Sequence, residues 1–372
     1  MRSRRREDVR DVLGRPDAVR DWLMTAALAQ SDDAVRAWRQ WSGRPAAASL
    51  TAIEARWLPL VAGNLARLGA PEATDDVLRR ARREAWASNQ LILDRARPAL
   101  TALHRAGIRT VLLKGAALAL AVYPDRGARP FGDVDALVEP ALISPARAIL
   151  AGLEWTCPHT AGALPQTARH SFGYSAADGG ALDVHQYLLQ ECTWPGVDAE
   201  VWRRTVSVED EQTRWLVLSP ADQLLHVCIH GLRWSRVHAG TWVADAVEVL
   251  RRAGNTLAWD VLVAEARQRQ LSYQLRVALR LVADMPDVAV PATVLTELGR
   301  SPGSWADRLE CRVKTRPVGP AVNLWLFWRG WRRARRRHPG TTGFLRFTAG
   351  LVGLDARRQL VPWLMRRVRH RW

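Results

Sequence analysis

The tightest constraint on the fold comes from Val111-Leu112-Leu113-Lys114-Gly115, followed eighteen residues after that glycine by Asp133-Val134-Asp135. The apolar run reads as a short buried strand, and the glycine as a tight turn into a helix. A second strand then carries two carboxylates two residues apart. Side chains alternate faces along a strand, so Asp133 and Asp135 point the same way. Two adjacent carboxylates repel each other and are stable together when a cation sits between them or when both are well solvated. A divalent metal beside a glycine turn that admits phosphate is the equipment of phosphoryl or nucleotidyl transfer. The plain alternative is a solvated strand end.

A third acid is readable further on. Asp178-Gly179-Gly180 is a strong turn signal between Ser171-Phe172-Gly173-Tyr174-Ser175 and Ala181-Leu182-Asp183-Val184-His185. Asp183 therefore lies on the returning arm of a hairpin, and His185 shares its face by the period of two. Lys114 gains weight from composition. Of 54 basic residues only Lys114 and Lys314 are lysine, so a lysine beside the glycine turn is informative. A compact ammonium acts on phosphate as a point charge, whereas arginine needs room for its planar fork.

Together these elements resemble the polymerase-beta-like nucleotidyltransferase superfamily, and more closely the bacterial family labelled uncharacterised nucleotidyltransferase. Its members show a run of the type LLKGxAL, a tyrosine-containing turn, and an arginine shortly before DxD-hydrophobic. Here these are Leu112 to Leu118, Tyr123, Arg129 and Asp133 to Val138. The resemblance covers roughly residues 90–250. It implies an NTP substrate and two Mg2+ ions, with Asp133, Asp135 and Asp183 as ligands. Asp183 would also help deprotonate an attacking hydroxyl, and His185 would orient the acceptor or leaving group. Lys114, the Gly115 turn, the Ala116 backbone and Arg129, with Arg126 as the alternative arginine, would hold the triphosphate. Ala116 stands where the superfamily usually has serine, so a hydroxyl contact is lost while the backbone N–H remains. The resemblance also makes Asp245 the counterpart of a family aspartate in a neighbouring helix.

The rest of the chain frames this core. With 372 residues and 48% hydrophobic content, it can bury a large core of two or three domains. Residues 1–106 read as helical, broken at Gly43-Arg44-Pro45 and Gly69-Ala70-Pro71. Residues 107–218 read as the nucleotidyltransferase core, 219–300 as a helical acceptor-side region, and 301–372 as a basic Trp/Arg-rich helical segment. Strands are expected at 109–113, 133–138, 153–157, 171–176, 181–187 and 213–218, and helices at 116–122 and 142–151. Ser219-Pro220-Ala221-Asp222 starts a helix to about Trp234, followed by helices from about Val237 to Ala253, Trp259 to Gln268 and Tyr273 to Ala283. Residues 285–304 read as a junction. The predicted fold class is α+β, a small mixed sheet flanked by N-terminal and C-terminal helical regions.

His226 and His230 share a helix face. They read more readily as packing or pocket lining than as a zinc site, and Cys157-Pro158-His159 as incidental. Four widely spaced cysteines without a CxxC fit reduced thiols and a cytoplasmic setting. The basic Met1 to Arg6 lacks an apolar continuation, so no signal peptide is expected, and no apolar run predicts a transmembrane span. Charge is concentrated at one end: residues 311–372 hold sixteen basic residues against the single acid Asp355. Trp325, Trp328 and Trp331 precede Arg332 to Arg337 at helical spacing. That segment reads as a solvated basic helix, or as a surface for an anionic partner, RNA or a membrane, giving peripheral membrane association.

The reading is Mg-dependent transfer of a nucleoside monophosphate from an NTP to an acceptor hydroxyl of a small molecule, peptide, protein or RNA, with pyrophosphate leaving. The alternatives are a catalytically silent binding protein on the same fold, or a membrane- or RNA-associated scaffold.

Overall fold

The computed structural model describes residues 18–44, 50–158, 169–210, 213–233, 240–301, 303–316, 318–352, 354 and 357–369. Met1 to Arg6, Pro45, His159, Trp234, Val237 and Asp355 lie outside them. The fold is α+β, a six-stranded mixed sheet with flanking helices. The chain forms two interleaved compact units. The first comprises Met1–Leu91, Lys114–Gly132 and Ser219–Arg316; the second comprises Ile92–Leu113, Asp133–Leu218 and Pro317–Trp372.

The first unit is helical. It contains α1 (Ala18–Leu28), α2 (Asp32–Ser42), α3 (Ala52–Arg67), the start of α4 (Asp76–Arg105) and α5 (Lys114–Ala121). Later in the chain come α8 (Pro220–Gly231), α9 (Thr241–Ala253), α10 (Trp259–Gln268), α11 (Ser272–Ala283), α12 (Ala292–Gly299) and α13 (Trp305–Lys314). Local chemistry explains the starts. Thr51 accepts from the Glu54 N–H at 3.2 Å while the Glu54 carboxylate accepts from the Thr51 N–H at 2.8 Å, a reciprocal cap on α3. Ser219 accepts from Asp222 N–H at 3.3 Å with Pro220 at the first helical position, starting α8 as expected. The breaks expected at Gly43 and Gly69 fall where α2 and α3 end. The expected junction at 285–304 contains α12, an added helix whose Val294 and Leu298 are buried.

The second unit holds the sheet. Its strands are β1 (Val111–Leu113), β2 (Val134–Leu137), β3 (Ser171–Ser175), β4 (Ala181–His185), β5 (Val206–Glu209) and β6 (Arg214–Val217), in the order β3-β4-β2-β1-β6-β5. The helices of this unit include α6 (Ile143–Gly152) and α7 (Ala199–Arg203). β1 and β2 are buried at every residue, the pattern of central strands covered on both faces. β3 alternates and β5 is largely exposed, as edge strands are. The expected strand at 153–157 reduces to one bridge, Thr156 with Ser175, because a turn follows α6 and Glu154 adopts a positive φ of 61°. β5 was not expected. The four cysteines are buried and no disulfide joins them.

The basic C-terminal segment forms α14 (Pro320–Arg337), α15 (Phe344–Leu351) and α16 (Leu360–Arg369). On α14 each of Trp325, Trp328 and Trp331 is half-buried, with the guanidinium four residues on lying over its ring, at 6.0, 4.8 and 5.2 Å. The Trp331 indole N–H donates to the Thr342 carbonyl at 2.8 Å. Among the described residues no helix is long and apolar enough to cross a membrane.

Candidate active site

Register places the acids. β2 pairs with β4 in parallel, setting Asp135 opposite Asp183 and Leu137 opposite His185. β1 pairs antiparallel with β2, setting Leu113 opposite Asp135. The hairpin turn expected at Asp178-Gly179-Gly180 forms, with Gly179 at φ 84° and the Asp178 carboxylate accepting from the Gly180 N–H at 2.8 Å. That turn fixes the β3–β4 register, which puts Gly173 opposite Asp183.

Asp135, Asp183 and His185 converge. The His185 Nε2 lies 2.9 Å from Asp135 Oδ1 and 3.1 Å from Asp183 Oδ2. Asp135 and His185 are buried, whereas the Asp183 side chain keeps 22% of its exposure. A second imidazole stands beside it: His170 Nε2 lies 3.3 Å from His185 Nδ1 and 3.5 Å from the Leu188 carbonyl. Placed between two carboxylate oxygens, His185 Nε2 is the atom that carries the N–H bracing them.

Asp133 sits in a bend just before β2, exposed, where a strand residue was expected. It lines, with Asp183, a cleft of about 380 Å³ that also meets Arg169, Ser171, Gly173 and Tyr174. A second cavity, about 290 Å³ and mostly apolar, lies within the first unit and holds none of the three acids.

The donor set fits a divalent cation. One ligand atom from each of Asp135, Asp183 and His185 can be chosen so that all lie within 4.8 Å of one another. Ligands on opposite sides of one ion stand roughly 4–5 Å apart at bond lengths of about 2.0–2.6 Å, so a cation suits that spacing, and with Nε2 protonated the Asp135 and Asp183 oxygens are the atoms that would bind it. Carboxylate oxygens suit a hard ion of the magnesium and manganese class.

The residues expected at the triphosphate divide. Lys114 follows β1 directly and begins α5 with a positive φ of 49°, a left-handed conformation that costs a non-glycine residue energy and clusters at functional sites. The turn strain therefore sits on the lysine. Gly115 has a different reason to be glycine: a Cβ there would lie 2.4 Å from the Phe131 Cβ. Ala116 is fully buried in α5.

Arg129 is placed otherwise than expected. Its guanidinium forks onto Asp245, with Nε 2.5 Å from Oδ1 and Nη2 2.8 Å from Oδ2. The Tyr123 hydroxyl donates to the same carboxylate at 2.8 Å. Burial opposes the Arg129 charge, yet Asp245 outweighs it and holds that pKa above its ordinary value. Burial, then the Asp245 charge, pushes the Tyr123 phenol well up. Asn89 secures the same loop, donating to the Arg126 and Arg129 carbonyls at 2.7 and 2.9 Å. The Arg129 fork is thus spent on holding the loop before Asp133.

A family model described as uncharacterised nucleotidyltransferase matches residues 47–287. The chain belongs to that family. A search of the curated proteins finds no match. For a nucleotidyltransferase domain, the convergence of two carboxylates and an imidazole is the feature that bears on chemistry. His226 is buried with the His230 ring centroid 5.9 Å from its own, and among the described residues neither joins such a cluster.

Sequence reading missed His170 and Arg169. The signal for His170 was present: a turn at 178–180 pairs 171 with 185, which brings 170 alongside. Arg169 had no motif to mark it.

Proposed function

We propose that this nucleotidyltransferase moves a nucleoside monophosphate from an NTP to an acceptor hydroxyl in a Mg2+-dependent reaction. The observation that carries this reading is the bracing of Asp135 and Asp183 by one imidazole N–H, at 2.9 and 3.1 Å, in a chain of this family. Asp133, Asp135 and Asp183 are the residues that would hold divalent ions. Ions there would polarise the α-phosphorus centre and make the acceptor hydroxyl more acidic. Two of them is the number that suits an in-line displacement.

The chain's own groups divide the remaining work. Lys114, which follows β1 directly, is the residue assigned to steady the triphosphate as a compact point charge. Gly115 and Ala116 contribute backbone only. Asp183, the more exposed of the two braced acids, accepts the hydroxyl proton. The acceptor oxygen attacks the α-phosphorus, the bond to the bridging oxygen breaks, and pyrophosphate leaves. His185 holds the carboxylate geometry through its Nε2 proton. Arg129 fixes the loop and makes no phosphate contact in this scheme.

The test is pyrophosphate release with each NTP and Mg2+, using a cell lysate as acceptor source and comparing the parent with Asp135→Asn and Asp183→Asn. Release by the parent that both variants lose supports transfer. Equal background from all three contradicts it and leaves a silent binding protein.

A further inference from the structure

Arg169 stands out among the cleft residues. It precedes β3, and its Nε donates to the Ser171 carbonyl at 2.7 Å. Its guanidinium carbon lies 5.3 Å from the centre of the Phe172 ring. Nη1 is buried and has no hydrogen-bond partner among the described residues. An anchored, stacked guanidinium with a spare donor is a preorganised receptor for an oxyanion, because the planar fork matches a carboxylate or phosphate edge. Burial lowers its pKa, with the Cys157 and Asp183 side chains working the other way.

Sheet order says which reactant the cleft would take. Lys114 leaves the end of β1, and β2, β4 and β3 follow in that order away from it. Neighbouring strands are about 4.8 Å apart, so β4 and β3 stand roughly 10 and 14 Å from β1. A triphosphate anchored beyond β1 brings its α-phosphorus to the acids on β2 and β4. The flank at β3, where Arg169, Ser171 and Gly173 line the cleft, is left for the other substrate. Gly173 keeps that floor open: it faces Asp183 in register, and a Cβ built on it would meet nothing within 4 Å.

We propose that the cleft over β3 is the acceptor subsite and Arg169 its anion receptor, so that the attacking hydroxyl belongs to a molecule that also carries a phosphate or carboxylate group. This rests on the transfer reading for the direction of the triphosphate.

The experiment uses the full chain with Mg2+ and each α,β-methylene NTP, so no turnover occurs. Calorimetry then titrates glycerol 3-phosphate, glycerate and glycerol, which share a hydroxyl and differ in the anion. The parent binds at least one anionic probe ten or more times tighter than glycerol, and which one it prefers separates phosphate from carboxylate. Arg169→Gln removes that preference, and Arg169→Lys restores part of it. Gly173→Val, which the open space tolerates, weakens the anionic probe tenfold or more. All three variants keep the parent's affinity for the NTP analogue. The proposal is overturned if the parent shows no anion preference, if Arg169→Gln keeps it, or if Arg169→Gln loses the analogue instead. Absence of pyrophosphate release with every NTP would sink the transfer reading alone, since this titration needs no turnover.

Discussion

Two buried ionic clusters, one in each unit, are built on opposite plans. In the helical unit, Asp245 receives the Arg129 fork and the Tyr123 hydroxyl, so one carboxylate meets one guanidinium and its charge is answered. In the sheet unit, Asp135 and Asp183 share a single imidazole N–H, with Asp133 lining the cleft alongside Asp183. The first cluster matches one carboxylate to one guanidinium fork; the second sets two carboxylates on one imidazole nitrogen, a donor set that could take up a cation.

The contrast can be broken by exchanging one residue in each cluster. Asp135→Asn keeps the shape and removes one charge, so transfer should fall by roughly four decades, about 5 kcal/mol of barrier, with thermal stability unchanged or raised. Pyrophosphate assays and calorimetric melting read the two halves; a variant that melts earlier and still turns over would erase the distinction. Asp245→Ala should do the reverse. It strands the buried Arg129 charge and should cost about 3–5 kcal/mol of stability in denaturant titrations, with Asp245→Asn milder. A large activity loss with stability intact would move Asp245 into the chemistry.

Two smaller tests sharpen the comparison. Gly115→Ala forces a Cβ against Phe131 and should cost about 1–3 kcal/mol by overpacking, which equilibrium unfolding would show. An unchanged midpoint would return the glycine to a phosphate-binding explanation. Thr51→Ala removes the α3 cap and should cost about 1 kcal/mol. Burial opposes the Glu54 charge, but hydrogen bonds from Thr51, Arg44 and Trp41 prevail and hold its pKa below the ordinary value. Its contribution is therefore present above the unfolded carboxylate pKa and lost as pH falls through the lowered folded value. The stability gap between parent and Thr51→Ala should narrow in that acidic range, the part held by the Glu54 N–H cap remaining.

What sequence made legible follows from period and turn chemistry. Asp178-Gly179-Gly180 fixed a hairpin, the hairpin fixed a register, and the register delivered Asp183 and His185 to Asp135. Arg129 shows the limit. A motif specifies a residue type, but its partner is 116 residues away on α9, and a residue's spacing from DxD says nothing of what its side chain touches. Gly115 was read as a turn that admits phosphate; its close packing on Phe131 was not legible in the sequence. The β5 strand escaped because an exposed edge segment with Ser207 and Glu209 lacks the apolar alternation that marks a strand. Arg169 escaped because one more arginine in an arginine-rich chain carries no signal until its donor is seen unanswered.

The central claim is that the sheet's carboxylates hold a divalent cation. Electron paramagnetic resonance titration with Mn2+, on the parent, Asp135→Asn, Asp183→Asn and Asp245→Asn, reads it without needing a substrate. The account predicts saturable binding that Asp135→Asn and Asp183→Asn weaken tenfold or more and Asp245→Asn leaves alone. No saturable binding by the parent, or equal binding by all four proteins, would contradict it.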